Sequence, residues 1–266
     1  MIQTGLPPAL LPNTLLATLP DWGFALMLVL CRVGTACMLL PGFGEAELPP
    51  MIRLAIALTI TALVLPALQP AMPALPSEPI HLAVMLLHEI LSGLWFGFIV
   101  RVLLLAMPMA GQLIAGVIGL ANVIQPDAML GASSTALSRL LGLAAPLVIF
   151  TSGLAFVPIS AIIGFYALVP AGTLPGLDDA AQTLLSAISG SLALALRLSA
   201  PFILAGLVFH TGLALIARLV PQLQTYFAAA PGQILGGLAL LAVLLPLLLE
   251  HFQTAASATL AALPGL

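Results

Sequence analysis

The sequence predicts an all-α, polytopic membrane-associated protein with long bent helical hairpins, and three observations predict it. Of 266 residues, 62% are hydrophobic and only 6% charged, with a mean hydropathy of +1.23. The apolar residues gather in runs of about 20, the length that crosses roughly 30 Å of hydrocarbon at about 1.5 Å per residue. Proline and charge cut these runs, and the apolar–polar alternation of half-buried strands is missing.

The same composition excludes several functional classes. A soluble domain carries about 25% charged residues to wet its surface. Six basic residues (all arginine) and nine acidic ones cannot do so. A disordered chain needs the opposite balance of charge and hydrophobicity. A net charge of -3 without a basic cluster excludes a nucleic-acid footprint. No repeat of the length used by solenoids is present.

Taken in order, residues 1–20 (MIQTGLPPALLPNTLLATLP) read as a proline-rich lead-in. No basic residue precedes Arg32, so a cleavable signal peptide is not expected. A first span covers 22–40, with Asp21 as N-cap and PGFG at 41–44 as its stop. A second covers 51–65, followed by a loop over 66–79 with prolines at 66, 70, 73, 76 and 79. A third starts at Ile80 and passes Arg101 to Met107, where Pro108 kinks or ends it. GQLIAGVIGLANVIQPD (111–127) starts helical and finishes as a loop. Residues 138–169 are long enough for a tight helical hairpin bent at SGLAFVP (152–158). PAGTLPGLDD (170–179) reads as an exposed loop, and 180–217 as a helix bent at Pro201. The last apolar block covers 231–249, is interrupted by Pro246, and trails into a mixed tail at 250–266.

Arg32, Arg101 and Arg197 lie inside apolar runs. An arginine at the bilayer centre costs roughly 2.5–3.5 kcal/mol, while each Leu, Ile or Val returns about 0.3–0.6. Each run can therefore insert, but its arginine should find a carboxylate or carbonyl. Snorkelling suits Arg53 and Arg139 at run ends, and pairing suits Arg101 and Arg197. Glu89, Gly93, Gly97 and Arg101 fall at i+4 steps on one helix face, where glycines admit a close neighbour. Gly111, Ala115 and Gly119 repeat that spacing, as do Gly232 and Gly236.

Chemistry is sparse. His88-Glu89 continues to Ser92, giving HExxS without a second metal ligand, and GASS (131–134) lacks the GxSG spacing. Asp178 and Asp179 are adjacent in a loop, an improbable acid–base dyad, and no GxxxxGK loop occurs. His210 in an apolar helix reads as hydrogen-bonded structure rather than a proton relay. Cys31 and Cys37 read as small buried hydrophobes. No catalytic, cofactor or metal site is expected.

Several stretches resemble the FliR family, the single-copy export-gate component of flagellar type III secretion. They are LCRVGTACMLLPGFGEAELPPMIRLAIALTITALVLPAL (30–68), HEILSGLWFGFIVRV (88–102), AGQLIAGVIGLANVIQPDAM (110–129) and ARLVPQLQTYFAAAPGQILGGLALL (217–241). The last resembles the family's R-x-x-PQ-x-N-x-F…P block, with Pro221 and Gln222 as its core and Gln224 where asparagine is usual. The order of Pro126 and Asp127 is reversed relative to the family.

The resemblance implies one export-gate domain over 1–266, with about 1–130 similar to FliP and about 131–266 containing a FliQ-like hairpin. It implies assembly with FliP and FliQ into a helical channel entrance in the bacterial inner membrane, at the flagellar basal body. FlhB and FlhA would be further partners, and unfolded flagellar subunits the cargo. Helices raised out of the bilayer would then place Arg32, Glu45, Glu47, Arg53, Glu89, Arg101, Arg197 and Arg218 as buried or inter-subunit charges, the arginines' partners lying on adjacent subunits. Gly116, Gly119, Asn122, Gln125, Pro126 and Asp127 would belong to a loop over 116–134 that helps plug the resting pore. Gly93, Gly97, Gly111, Ala115, Gly232 and Gly236 would pack helices. A needle-type secretion homologue shares these features. A self-contained secondary transporter is the remaining alternative, although matching halves and polar midplane clusters are not evident.

Overall fold

A computed structural model describes residues 12–44, 48–120, 124–125, 134–219 and 225–266. Among the described residues there are seven α-helices: α1 (Pro12–Cys37), α2 (Pro50–Leu68), α3 (Pro79–Val117), α4 (Ala136–Thr151), α5 (Val157–Leu168), α6 (Leu177–Leu219) and α7 (Thr225–Ala261). Between α3 and α4, β1 (Ile124–Gln125) pairs antiparallel with β2 (Ser134–Thr135), Ile124 opposite Thr135 and Gln125 opposite Ser134. Among the described residues, five helices are long and apolar enough to cross a membrane, or up to six spans if the α4–α5 pair counts as one. The protein is an all-α polytopic membrane protein.

Proline ends helices less often than the sequence suggests. α1 starts at Pro12, so Asp21 sits inside it rather than capping it, and Pro20 lies mid-helix. α2 continues through Pro66, α3 through Pro108 and α6 through Pro201. α7 takes in both Pro231 and Pro246 and extends to Ala261, making most of the expected mixed tail helical. The energetics favour continuity in an apolar medium. An interior proline costs about 3 kcal/mol. A broken helix there leaves several backbone groups unsatisfied, each costing several kcal/mol. Glycine with a positive φ stands at other breaks (Gly42 at +75°, Gly119 at +83°, Gly153 at +74° and Gly172 at +82°), while the break between α2 and α3 carries Pro70, Pro73 and Pro76, in the loop expected there.

The chain divides into two compact units that interleave along the sequence. Unit 1 comprises Met1–Val100, Val157–Ala181 and Leu263–Leu266, and unit 2 comprises Arg101–Phe156 and Gln182–Ala262. In unit 1, α1 packs on α2, and Leu28, Val33, Phe96 and Phe165 are buried at its centre. The C-terminal Gly265 lies directly against Gly164 of α5, with no room for a β-carbon on either. In unit 2, α4 packs on α7, and Met107, Ile114, Leu141 and Phe252 are buried.

Candidate functional site

The most polar feature of unit 1 is wholly buried. Arg32 on α1 and Glu89 on α3 have side chains with 0% exposure, and Arg32 Nε stands 2.8 Å from Glu89 Oε2. That contact lies off the N–H axis and is Coulombic. Nη2 supplies the aligned bond, donating to Oε1 at 2.9 Å. The remaining guanidinium capacity goes to backbone: Nη1 donates to Val169 O at 2.7 Å and Nη2 to Pro170 O at 3.3 Å. Glu89 in turn accepts from the Gly172 N–H at 2.6 Å and from Tyr166 Oη at 3.3 Å. The guanidinium carbon sits 4.0 Å from the centre of the Tyr166 ring, a cation–π contact. Two opposite charges thus neutralise each other in a buried node whose other contacts go to backbone groups and Tyr166, an arrangement that joins α1, α3 and the stretch after α5.

Local sequence positions this node. Gly93 and Gly97 put α3 directly on the α1 backbone. A β-carbon on Gly93 would strike Arg32 O and Thr35 Oγ1, and one on Gly97 would lie 2.9 Å from Ala36 O. One strip of α3 then holds the stretch after α5. His88 Nδ1 donates to Gly172 O at 2.8 Å, Ser92 Oγ to Thr173 O at 3.2 Å and Trp95 Nε1 to Ala180 O at 3.2 Å. The loop expected over 170–179 is largely exposed and is pinned at its start by these bonds, while α6 takes over its last residues from Leu177. His88, tested in the sequence as half of a metal motif, serves as a loop clamp. Among the described residues, no three His, Cys, Asp or Glu side chains gather for a metal ion.

Unit 2 holds a cleft of about 140 Å³ bordered by Val117, Ile118, Phe202, Gly206, Gln233 and Leu240. Its floor is close-packed: Gly206 lies against Val117 and Gly237 against Ile118, and Gln233 Nε2 donates to Val117 O at 2.8 Å. Nearby, Gly111 brings α3 onto the start of α4, its β-carbon position 2.7 Å from Ser138 Cα. Ser138 Oγ donates to Pro108 O at 2.8 Å.

The remaining sequence candidates divide clearly. Arg32 is neutralised inside the chain, which corrects the expectation of a partner on a neighbouring subunit. Arg53 is half-buried and donates to Leu48 O at 2.9 Å. Arg101 is half-buried, while Arg197 and Arg218 are exposed on α6. Ala115 is fully buried. Gly232 and Gly236 have nothing within 4 Å of a β-carbon, and the neighbouring Gly237 makes the helix contact instead. Gly116 is likewise open, and Gly119 faces Gln233 and Ile234. Gln125 lies in β1. Glu45, Glu47, Asn122, Pro126, Asp127, Pro221 and Gln222 lie outside the described residues. Tyr166 and Gly172 carry no charge and fall in no recognisable spacing, so the sequence alone does not mark them.

Residues 24–259 match the family model described as bacterial export proteins, family 1. The chain is 30% identical over 208 residues to the flagellar biosynthetic protein FliR of Caulobacter vibrioides, covering 78% of this chain and 83% of that one. It is 28% identical over 208 residues to the protein of the same name from Escherichia coli K12, covering 77% of each.

Proposed function

Because the chain belongs to the bacterial export proteins of family 1, we propose that it is a structural, non-enzymatic subunit of the flagellar export apparatus in the bacterial inner membrane. The observation that carries this is the extent of the match: it runs from within α1 to the last turn of α7, and the Caulobacter relative is covered over 83% of its length. In this reading the chain joins FliP- and FliQ-like subunits as the single FliR-like member of the channel entrance, beside FlhB- and FlhA-like partners. Unfolded flagellar subunits pass through the assembled lumen. The stretch over 116–134 belongs to the resting plug, and Pro221 and Gln222 to the block that resembles the family's R-x-x-PQ motif. Arg101 contributes to contacts with those partners.

Two observations support a structural role. The Arg32–Glu89 node is charge-balanced and buried, so it holds elements together instead of performing chemistry. The unit 2 cleft is apolar, and its one amide side chain, Gln233, is bonded to Val117 O, which disfavours a small-molecule carrier. The flagellar names of both relatives favour the flagellar over the needle-type system.

Deleting the gene and restoring it with a tagged copy tests the proposal. The null strain should be non-motile and retain flagellar filament subunits inside the cell, and the tagged chain should migrate with FliP and FliQ homologues on native gels. A motile null strain, or a chain that migrates apart from them, overturns it.

A further inference from the structure

Polar residues sort along α6 and α7 in a pattern that packing does not require. Arg197 and Arg218 are both exposed, and residues 198–217 between them carry no acidic or basic side chain except His210. At about 1.5 Å per residue that interval measures roughly 31 Å, the hydrocarbon thickness of a bilayer. Its polar side chains bond within their own helix. Ser199 Oγ donates to Ala195 O at 2.9 Å, His210 Nδ1 to Gly206 O at 2.7 Å and Thr211 Oγ1 to Leu207 O at 2.7 Å. This is the arrangement a medium without water demands.

α7 follows the same rule, with no charge from 225 to 249. Five residues (220–224) join the two helices, and Phe202 and Phe209 of α6 share a cleft with Leu240 and Gly232 of α7. So short a connection makes them antiparallel. Arg197 then stands within about two turns of Glu250, the first charge on α7. Between these levels and the connection, the outward residues are Leu204, Leu207, Val208, Leu235 and Val243, all at least 60% exposed. Beyond them, Gln182, Ser186 and Ser189 on α6 and Glu250, His251 and Gln253 on α7 are exposed.

We propose that this end of the α6–α7 pair is the part of unit 2 that crosses the hydrocarbon, and that Arg197 and Arg218 bind lipid phosphate groups in opposite leaflets. A guanidinium matches a phosphate through paired charge-assisted hydrogen bonds. Although it sits in the middle of a 43-residue helix, Arg197 thus marks a membrane surface and not a bilayer centre. The first half of α6 and the last turns of α7 stand outside the lipid. The proposal rests on the chain being a membrane protein, and its test reads the bilayer boundary whether or not flagellar export depends on the chain.

Single cysteines are introduced into the full chain with Cys31 and Cys37 replaced by alanine, co-expressed with its partner subunits and kept in native membranes. A membrane-impermeant maleimide should label Ser189→Cys from one side. Leu204→Cys, Val208→Cys and Val243→Cys should react only after detergent, and Leu219→Cys only when the opposite face is presented. Labelling of position 204 or 208 in intact membranes overturns the proposal, as does protection of position 189. In vesicles of phosphatidylethanolamine and phosphatidylglycerol carrying a photoreactive headgroup, the chain should acquire a lipid adduct near residue 197. Arg197→Lys should retain it, and Arg197→Leu should reduce it about fivefold or more. An adduct that Arg197→Leu leaves unchanged, or crosslinks from position 197 only to a partner's carboxylate-bearing helix, overturns the lipid assignment.

Discussion

Arg32 and Glu89 are 57 positions apart in sequence and 2.8 Å apart in space. Removing either ion from water costs several kcal/mol, and the pair is tolerable only because each charge meets the other and backbone groups fill the remaining positions. Breaking such a pair by changing one member typically costs about 3–5 kcal/mol, since the other charge is left buried alone. Glu89→Gln should therefore lower the heat midpoint of the purified complex and the amount of chain that accumulates. The double change Arg32→Met with Glu89→Leu should recover part of that loss. An unchanged midpoint for Glu89→Gln would mean that the node contributes nothing to stability. The insertion cost of a charge in an apolar run marks Arg32 from sequence alone, and the i+4 face shared with Gly93, Gly97 and Arg101 marks Glu89. Their pairing was not legible, because Arg32 is also held by the Val169 carbonyl, 137 positions away, and a carbonyl leaves no trace in a sequence. The family resemblance points to a partner on a neighbouring subunit, where the chain supplies its own.

Helix contacts in both units depend on where a β-carbon is missing. On α3, the i+4 spacing of Gly93 and Gly97 coincides with the approach of the α1 backbone, and Gly111 with that of α4. On α7 the same rule selects Gly232 and Gly236, which face open space, while Gly237 meets Ile118. Adjacent helix positions differ by about 100°, so spacing identifies a smooth face without saying which face has a neighbour. Overpacking a close contact costs about 1–3 kcal/mol. An open glycine in a helix loses up to about 1 kcal/mol relative to alanine. Gly93→Ala should accordingly destabilise the chain, and Gly190→Ala, with nothing within 4 Å of its β-carbon, should be neutral or mildly stabilising. Protease resistance of the two variants in membranes checks this, and equal resistance would place the α1–α3 contact elsewhere. Proline was the weaker guide at this scale, because the cost of one lost hydrogen bond is smaller than that of a broken helix in lipid.

The class of the whole molecule is legible in its composition, because six arginines and nine acids leave no alternative solvent to lipid and protein. The interleaving of its two units is not, since it depends on which helices return to pack together, and apolar runs of similar character do not encode their partners. Length supplies a further constraint. α3, α6 and α7 have 39, 43 and 37 residues. At about 1.5 Å per residue they measure roughly 55–64 Å, nearly twice the hydrocarbon thickness. Only 22% of the most apolar window of α6 and 11% of that of α7 is buried within the chain. Lipid can cover about half of each length. The rest includes Leu185, Leu192 and Leu196 of α6, exposed at 67%, 47% and 48%, and needs protein. In the proposed assembly, dependence on partners would arise from this surplus apolar length more than from Arg32, which pairs with Glu89 inside the chain. Expressed alone and extracted in mild detergent, the chain should elute as broad, polydisperse material. Co-expressed with FliP and FliQ homologues, it should elute in one complex of fixed stoichiometry. Alanine at Leu185, Leu192 and Leu196 together should weaken that complex while leaving the Arg32–Glu89 node and its protease resistance intact. A monodisperse, heat-stable lone chain would show that lipid alone suffices, and the surplus length would then have to be covered within the chain itself.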